Sequence, residues 1–227
     1  LNETICGVLE LPKKVTLGYI PAGSTNDFAS SLKIPKQMLA AAQAAAFGEP
    51  YAVDVGLFCQ ERYFVYVAGF GAFTEVSYLT PQDKKNMLGH QAYMLESVRS
   101  LASLRSYFME VEWDDNFLEG EFVFGVVTNT ISVGGFKGLV GQDVELNDGY
   151  FEVMLIRKPK NPADISNLVA GLLQKEEKEN DQVYKFKTRS IRFRSSEPVD
   201  WVLDGEFGGT KTEVFVENLS KRLEIKR

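Results

Sequence analysis

The sequence predicts two domains, a partial α/β unit over residues 1–50 followed by a β-sandwich with a few helices over residues 51–227. Three observations predict it. A short apolar strand, a glycine-containing loop and a helix follow one another inside the first fifty residues, the order of a doubly wound unit. From residue 51 onward, runs of alternating apolar and polar residues recur between turn signals, the pattern of stacked antiparallel sheets. The chain is 227 residues long with 44% hydrophobic residues, enough for two modest cores.

Residues 1–9 read as a helix and residues 15–20 as a strand. Pro21-Ala22-Gly23-Ser24 forms a loop, after which Thr25 or Asn26 caps a helix to about Leu32. Pro35 opens an alanine-rich helix that ends near Phe47, with Gly48 as its stop. Two strands, over 51–58 and 62–67, are joined at Gln60-Glu61. A long amphipathic helix is expected over 83–105, with Met87, Leu88, Met94, Leu95 and Val98 on one face. Strands return over 107–113 and 117–128 around an Asp115-Asn116 turn. Further strands are expected over 150–157, 183–194, 199–203, 213–216 and 222–226, interrupted by a polar helix over 163–174.

Composition excludes several functions. A net charge of −6 gives no global basic field for nucleic acid. One histidine and no Cys-x-x-Cys pair exclude the usual His/Cys zinc sites. Cys6 and Cys59 do not make a disulfide framework, and they read as small core or boundary residues of a protein kept in a reducing cytoplasm. No apolar run approaches the ~20 residues of a membrane span.

Three segments carry chemistry-bearing residues. In 18–29 (GYIPAGSTNDFA), Gly23 lets the backbone approach a ligand, and Ser24, Thr25 and the free N–H groups of a helix start can hold phosphate oxygens. Asp27 opposes a bare anion and would need a bridging Mg²⁺; the plainer reading is a helix cap with Asp27 favouring the dipole. In 201–209 (WVLDGEFGG), an extended chain would point Asp204 and Glu206 to one face across Gly205. One carboxylate could then take a proton from a substrate hydroxyl while the other orients it; the plainer reading is an Asp-Gly turn with a solvated Glu. In 145–150 (ELNDGY), a turn is the first reading, and a single hard cation on a carboxylate and turn carbonyls the second. Lys185, Lys187, Arg189, Arg192 and Arg194 read as a solvated sheet face, with a weak anionic-membrane patch as the sharper alternative.

Taken in order, these segments resemble the bacterial soluble diacylglycerol kinases, which share a catalytic domain with sphingosine and ceramide kinases. The likeness runs through 20–29 (IPAGSTNDFA), Val53-Asp54-Val55-Gly56, Ala68-Gly69-Phe70-Gly71, Ser132-Val133-Gly134-Gly135-Phe136, Asn147-Asp148-Gly149 and Leu203-Asp204-Gly205-Glu206. The resemblance implies an α/β ATP-binding domain and a β-sandwich lipid domain with catalysis between them. It implies Glu206 as general base on the lipid hydroxyl, with Asp204 in the same motif. It implies ATP contacts at Ser24, Gly23, Thr25, Asn26, Asn2 and Glu3. It implies Asp27 and Asp54 in a Mg²⁺ and water network, and a structural Mg²⁺ on Asp148 with the carbonyls of Glu145 and Tyr150.

The implied function is ATP-dependent phosphorylation of diacylglycerol or a similar lipid at the inner membrane face, giving phosphatidic acid in phospholipid metabolism; a homodimer is a further expectation. The family's Gly-Gly-Asp-Gly-Thr loop would end just before Leu1, so the sequence is expected to be part of a longer chain and inactive without that loop. The rival expectations are a catalytically inactive lipid-binding or regulatory module and a kinase for another acceptor, such as a sphingoid base or NAD.

Overall fold

The protein is described here by a computed structural model covering residues 1–23, 26–71, 105–133, 136–137, 140, 144–173 and 181–227. Four described helices, α1 (Asn2–Leu9), α2 (Asp27–Ser31), α3 (Met38–Phe47) and α4 (Pro162–Leu173), flank a strand-rich body. Residues 83–104 of the helix expected over 83–105, including His90, lie outside the described residues, and Arg105 is not helical.

Strands β1 (Thr16–Gly18) to β6 (Asn116–Thr128) and β9 (Phe151–Arg157) to β12 (Glu206–Lys226) join in one ten-stranded sheet; β7 (Ser132–Val133) and β8 (Phe136–Lys137) form a separate pair. The main path runs β10 (Val183–Thr188), β9, β6, β4 (Val67–Gly71), β11 (Ser190–Leu203), β12, β2 (Pro50–Phe58), β3 (Arg62–Phe64). Strand β5 (Tyr107–Trp113) pairs with both β11 and β6. β4 also bridges those two strands, at their other ends. The hydrogen-bonding path β4–β6–β5–β11 therefore closes on itself. The enclosed core holds Phe70, Trp201, Phe193, Phe122 and Met109, all essentially inaccessible. Rings here meet at tilted or edge-on angles, with Phe70 and Trp201 centroids 5.0 Å apart, as aromatic quadrupoles prefer.

Three expected strands proved to be parts of longer ones. The 199–203 segment continues β11, and 213–216 with 222–226 are both within β12. The interruptions read in the sequence are bulges: pairing of β11 with β12 slips between Arg194 and Val199, and pairing of β12 with β2 slips between Leu219 and Leu223. Conversely, the expected strand over 183–194 breaks at Arg189 into β10 and β11.

β12 also reaches back to the first fifty residues. Its end pairs in parallel with β1, Thr16 opposite Glu224, and antiparallel with the start of β2. A second core forms there from Ile5, Leu9, Phe28, Leu32, Val53, Leu223 and Ile225. A third, with Phe124, Met154, Ile156 and Leu168, lies between the sheet and α4.

Candidate active site

The Asp204-Gly205 pair is a two-residue hairpin turn between β11 and β12, with Leu203 opposite Glu206. Both turn residues have positive φ, 51° and 89°, the geometry that favours Asp-Gly. The chain here is therefore not extended, which corrects the expectation that Asp204 and Glu206 share a face. Glu206 is exposed, whereas the Asp204 carboxylate turns inward.

Four N–H groups meet that carboxylate. The Val65 amide and the Asn2 side-chain amide donate to Oδ2 at 2.9 and 2.7 Å; the Tyr66 and Val67 amides donate to Oδ1 at 3.0 and 3.1 Å. Burial pushes the Asp204 carboxyl up from its ordinary range, and these donors oppose the shift by favouring the ionised form. The three backbone donors also explain why the strand expected over 62–67 is broken. Residues 65 and 66 leave the ladder between β3 and β4 so that successive amides converge on one anion.

Asn2 is thereby committed. Its amide nitrogen also donates to the Tyr63 carbonyl, and its oxygen lies 3.5 Å from the Cys6 sulfur. Glu3, its neighbour in the first turn of α1, is exposed.

Asp27 is the first residue of α2 and is buried. Its Oδ1 accepts the Ser132 hydroxyl at 2.5 Å, and its carbonyl accepts the Ser31 hydroxyl. Asn26 precedes it with φ 53° and does not cap the helix through its side chain. Instead its amide clasps Gly23, accepting from the Gly23 N–H at 2.9 Å and donating to the Gly23 carbonyl at 2.7 Å. Ser24 and Thr25 lie outside the described residues.

A buried polar strip that sequence reasoning missed links these two regions. The Tyr66 carbonyl accepts from the Thr128 hydroxyl at 2.5 Å and from the Asn129 N–H at 3.1 Å. Thr128 and Thr130 hydroxyls lie 3.2 Å apart, and Thr130 donates to the Ser132 carbonyl. Thr128, Asn129, Thr130 and Ser132 are buried along a strand end. The signal in the sequence was the polar run 128–132 (TNTIS) closing the apolar strand β6.

Tyr66 stands where the two regions meet. The carboxylates of Asp204, Asp27 and Glu206 all add to burial in raising its phenol far above the usual range. A Cβ placed on Gly205 would lie 3.3 Å from the Tyr66 hydroxyl.

Asp54 and Asp148 serve a second place. Asp54 is fully buried and accepts from the Gly149 and Lys221 amides, each at 2.7 Å, and from the Asn218 side chain at 3.3 Å. It ties the Asn147–Gly149 turn to the β12 bulge. Asp148 accepts the Tyr150 N–H at 2.9 Å through Oδ1, and its Oδ2 lies 3.4 Å from Lys187 Nζ. Lys187 also lies 3.0 Å from Glu152, whose buried carboxyl rises to about 7 because burial outweighs that cation. Among the described residues no three His, Cys, Asp or Glu side chains gather as a metal site. A divalent ion near Glu145 and Tyr150 would therefore rest on the Asp148 carboxylate and main-chain carbonyls, hard oxygen donors that suit Mg²⁺.

The basic residues of β10 and β11 are largely occupied. Arg192 reaches Glu213 at 2.7 Å and Arg194 reaches Glu112 at 2.7 Å, while Arg189 lies over the Tyr150 ring. That arrangement agrees with a solvated sheet face. Cys6 and Cys59 are free, partly buried thiols. Among the described residues no helix is long and apolar enough to cross a membrane.

Comparison with known proteins gives a consistent result. Residues 1–58 match the diacylglycerol kinase catalytic domain, and residues 67–225 match the YegS C-terminal NAD kinase beta sandwich-like domain. The chain is 37% identical over 226 residues to the diacylglycerol kinase of Bacillus subtilis, covering 99% of this chain and 73% of that protein. It is 33% identical over 225 residues to the diacylglycerol kinase of Staphylococcus epidermidis, covering 99% and 70%. A crystal structure of a diacylglycerol kinase from Bacillus anthracis superimposes with a TM-score of 0.71 at 19% identity, covering 97% of this chain and 70% of that one. A further crystal structure from that organism gives 0.78 at 23% identity, covering 97% and 72%. The two-domain fold, an α/β part followed by a β-sandwich, is thus the fold of the family.

Proposed function

The chain belongs to the diacylglycerol kinase family of lipid kinases, and from that premise we propose that it takes part in transferring the ATP γ-phosphoryl group to the hydroxyl of diacylglycerol or a similar lipid. The observation that supports this reading is the hydrogen-bonded run from Asp204 through the Tyr66 main chain, Thr128, Thr130 and Ser132 to Asp27. That run ties together segments far apart in the chain, with Glu206 on the strand leaving the Asp204 turn, and so favours a corner where a hydroxyl could meet a base and a bound phosphate.

Each residue has a distinct part. Asp204 is the internal anchor of the corner, since its oxygens are taken by four N–H donors. Glu206, exposed on the strand leaving the same turn, is the general base that accepts the proton of the lipid hydroxyl. Asp27, with the Gly23 loop clasped by Asn26, faces the nucleotide; the Gly23 N–H is given to Asn26, and Ser24 and Thr25 offer the donors. Bound ATP and Mg²⁺ would supply the phosphoryl group and the charge neutralisation on which such transfers depend. Asp54 acts indirectly, by holding the loop that carries Asp148. The boundary between nucleotide and lipid parts falls near residue 50, where β2 begins. The acceptor lipid is reached at a membrane surface on the cytoplasmic side.

The test is Glu206→Gln in the full-length protein, assayed with labelled ATP and diacylglycerol in mixed micelles. Turnover is expected to fall at least ~100-fold, the usual scale for losing a general base, with the melting temperature unchanged. Near-normal kcat in that variant removes Glu206 from the role.

A further inference from the structure

Tyr66 is not among the residues to which the family resemblance gave a role, yet its placement is unusual. Its backbone is consumed on both sides, the N–H by Asp204 and the carbonyl by Thr128 and Asn129. Those bonds fix the Cα and leave the ring a short arc of positions. The ring ends against Gly205, so closely that a side chain there would touch the hydroxyl. Gly205 lies between the anchoring Asp204 and the exposed Glu206. The phenol therefore lies at the corner itself.

Near that corner the Arg62 guanidinium is held on the Phe207 carbonyl at 3.0 Å, and the phenol is a neutral hydroxyl beside Gly205. Asp27, Asp204 and Glu206 are acids and repel a developing oxyanion or an ester oxygen. The phenol is half-buried and feels the neighbouring carboxylates, both of which keep it protonated. It is a neutral O–H with no hydrogen-bond partner among the described residues. A lipid bearing a free hydroxyl beside an ester carbonyl needs such a donor to hold its second oxygen while the first faces Glu206.

We propose that Tyr66 is an acceptor-positioning residue: its phenolic hydroxyl, held over Gly205, donates a hydrogen bond to an oxygen of the lipid acceptor next to the reacting hydroxyl. This rests on the assignment of Glu206 as the base. It predicts selectivity for acceptors with an acceptor oxygen adjacent to the hydroxyl over simple long-chain alcohols.

The experiment compares Tyr66→Phe with the parent in the full-length protein, measuring kcat and KM separately for ATP and for diacylglycerol, with Glu206→Gln alongside. Loss of the hydroxyl alone is expected to lower kcat/KM for diacylglycerol about 10-fold or more. KM for ATP and the melting temperature stay the same, and the preference for diacylglycerol over a long-chain alcohol shrinks by a similar factor. Unchanged diacylglycerol kinetics in Tyr66→Phe, an equal rise in KM for both substrates, or an equal loss for both acceptors, overturns the proposal. If Tyr66→Phe behaves as the parent while Glu206→Gln is inactive, the positioning role fails and the base assignment stands. Full activity in Glu206→Gln fails the base assignment itself.

Discussion

Asn2 and Asp204 are separated by 202 positions and joined by a 2.7 Å hydrogen bond from the Asn2 side-chain amide to the Asp204 carboxylate. The bond fastens the first helix to the hairpin turn that presents Glu206. Because the same amide nitrogen holds the Tyr63 carbonyl, α1 is pinned to β3 and to the turn by one group.

Asn2→Ala is therefore expected to cost roughly 1–3 kcal/mol, the range for leaving a buried acceptor short of its donor. Asp204→Ala is expected to cost more, since it strands the amides of residues 65, 66 and 67 as well. Denaturant unfolding of both variants checks the order. Equal, small losses would show that the carboxylate is not the organising group.

Glu152 makes stability depend on pH. Its carboxyl titrates at about 7 in the folded protein, against 4.5 as the ordinary value. The folded state then holds a proton that the unfolded state has lost. The contribution is complete below pH 4.5 and disappears as pH rises through about 7. The loss amounts to about 3 kcal/mol at most, from the width of that window. Glu152→Gln, which cannot ionise, is expected to be the more stable protein at pH 8 and to show a flatter profile between pH 5 and 8. Melting curves in EDTA measure it, and parallel profiles for parent and variant would remove Glu152 as the cause.

Two glycines face aromatic rings across strands. Gly56 pairs with Phe64, and Gly125 with Phe70; in each pair a Cβ on the glycine would collide with the ring. These positions need space rather than a positive φ. Gly56→Ala and Gly125→Ala are expected to destabilise by about 1–3 kcal/mol, the cost of overpacking a filled core, read as the shift in unfolding midpoint. Phe64→Leu in the Gly56→Ala background should recover part of the loss.

Much of the architecture was legible in the sequence because it rests on local chemistry. The first helix, the alanine-rich helix ending at Gly48, and strands such as β5 and β9 follow from periodicity and stop signals within a few residues. Where reading failed, non-local contacts decided. The run 62–67 has strand composition, but three of its amides serve the Asp204 carboxylate instead of a ladder. Asp204 and Glu206 are two apart and look coplanar on paper, yet the hairpin turns one inward and leaves the other exposed.

By itself the sequence determined the residue types and their ordered motifs, and so the family and the identity of the candidate acids. Only the tertiary structure decided which acid is anchor and which is exposed, and which unmarked residues, Tyr66 and the 128–132 strip, join them. The physical reason is that a carboxylate's role depends on the number of N–H donors around it and on its access to water. Those are properties of segments that meet in space from positions as distant as 2, 66, 128 and 204.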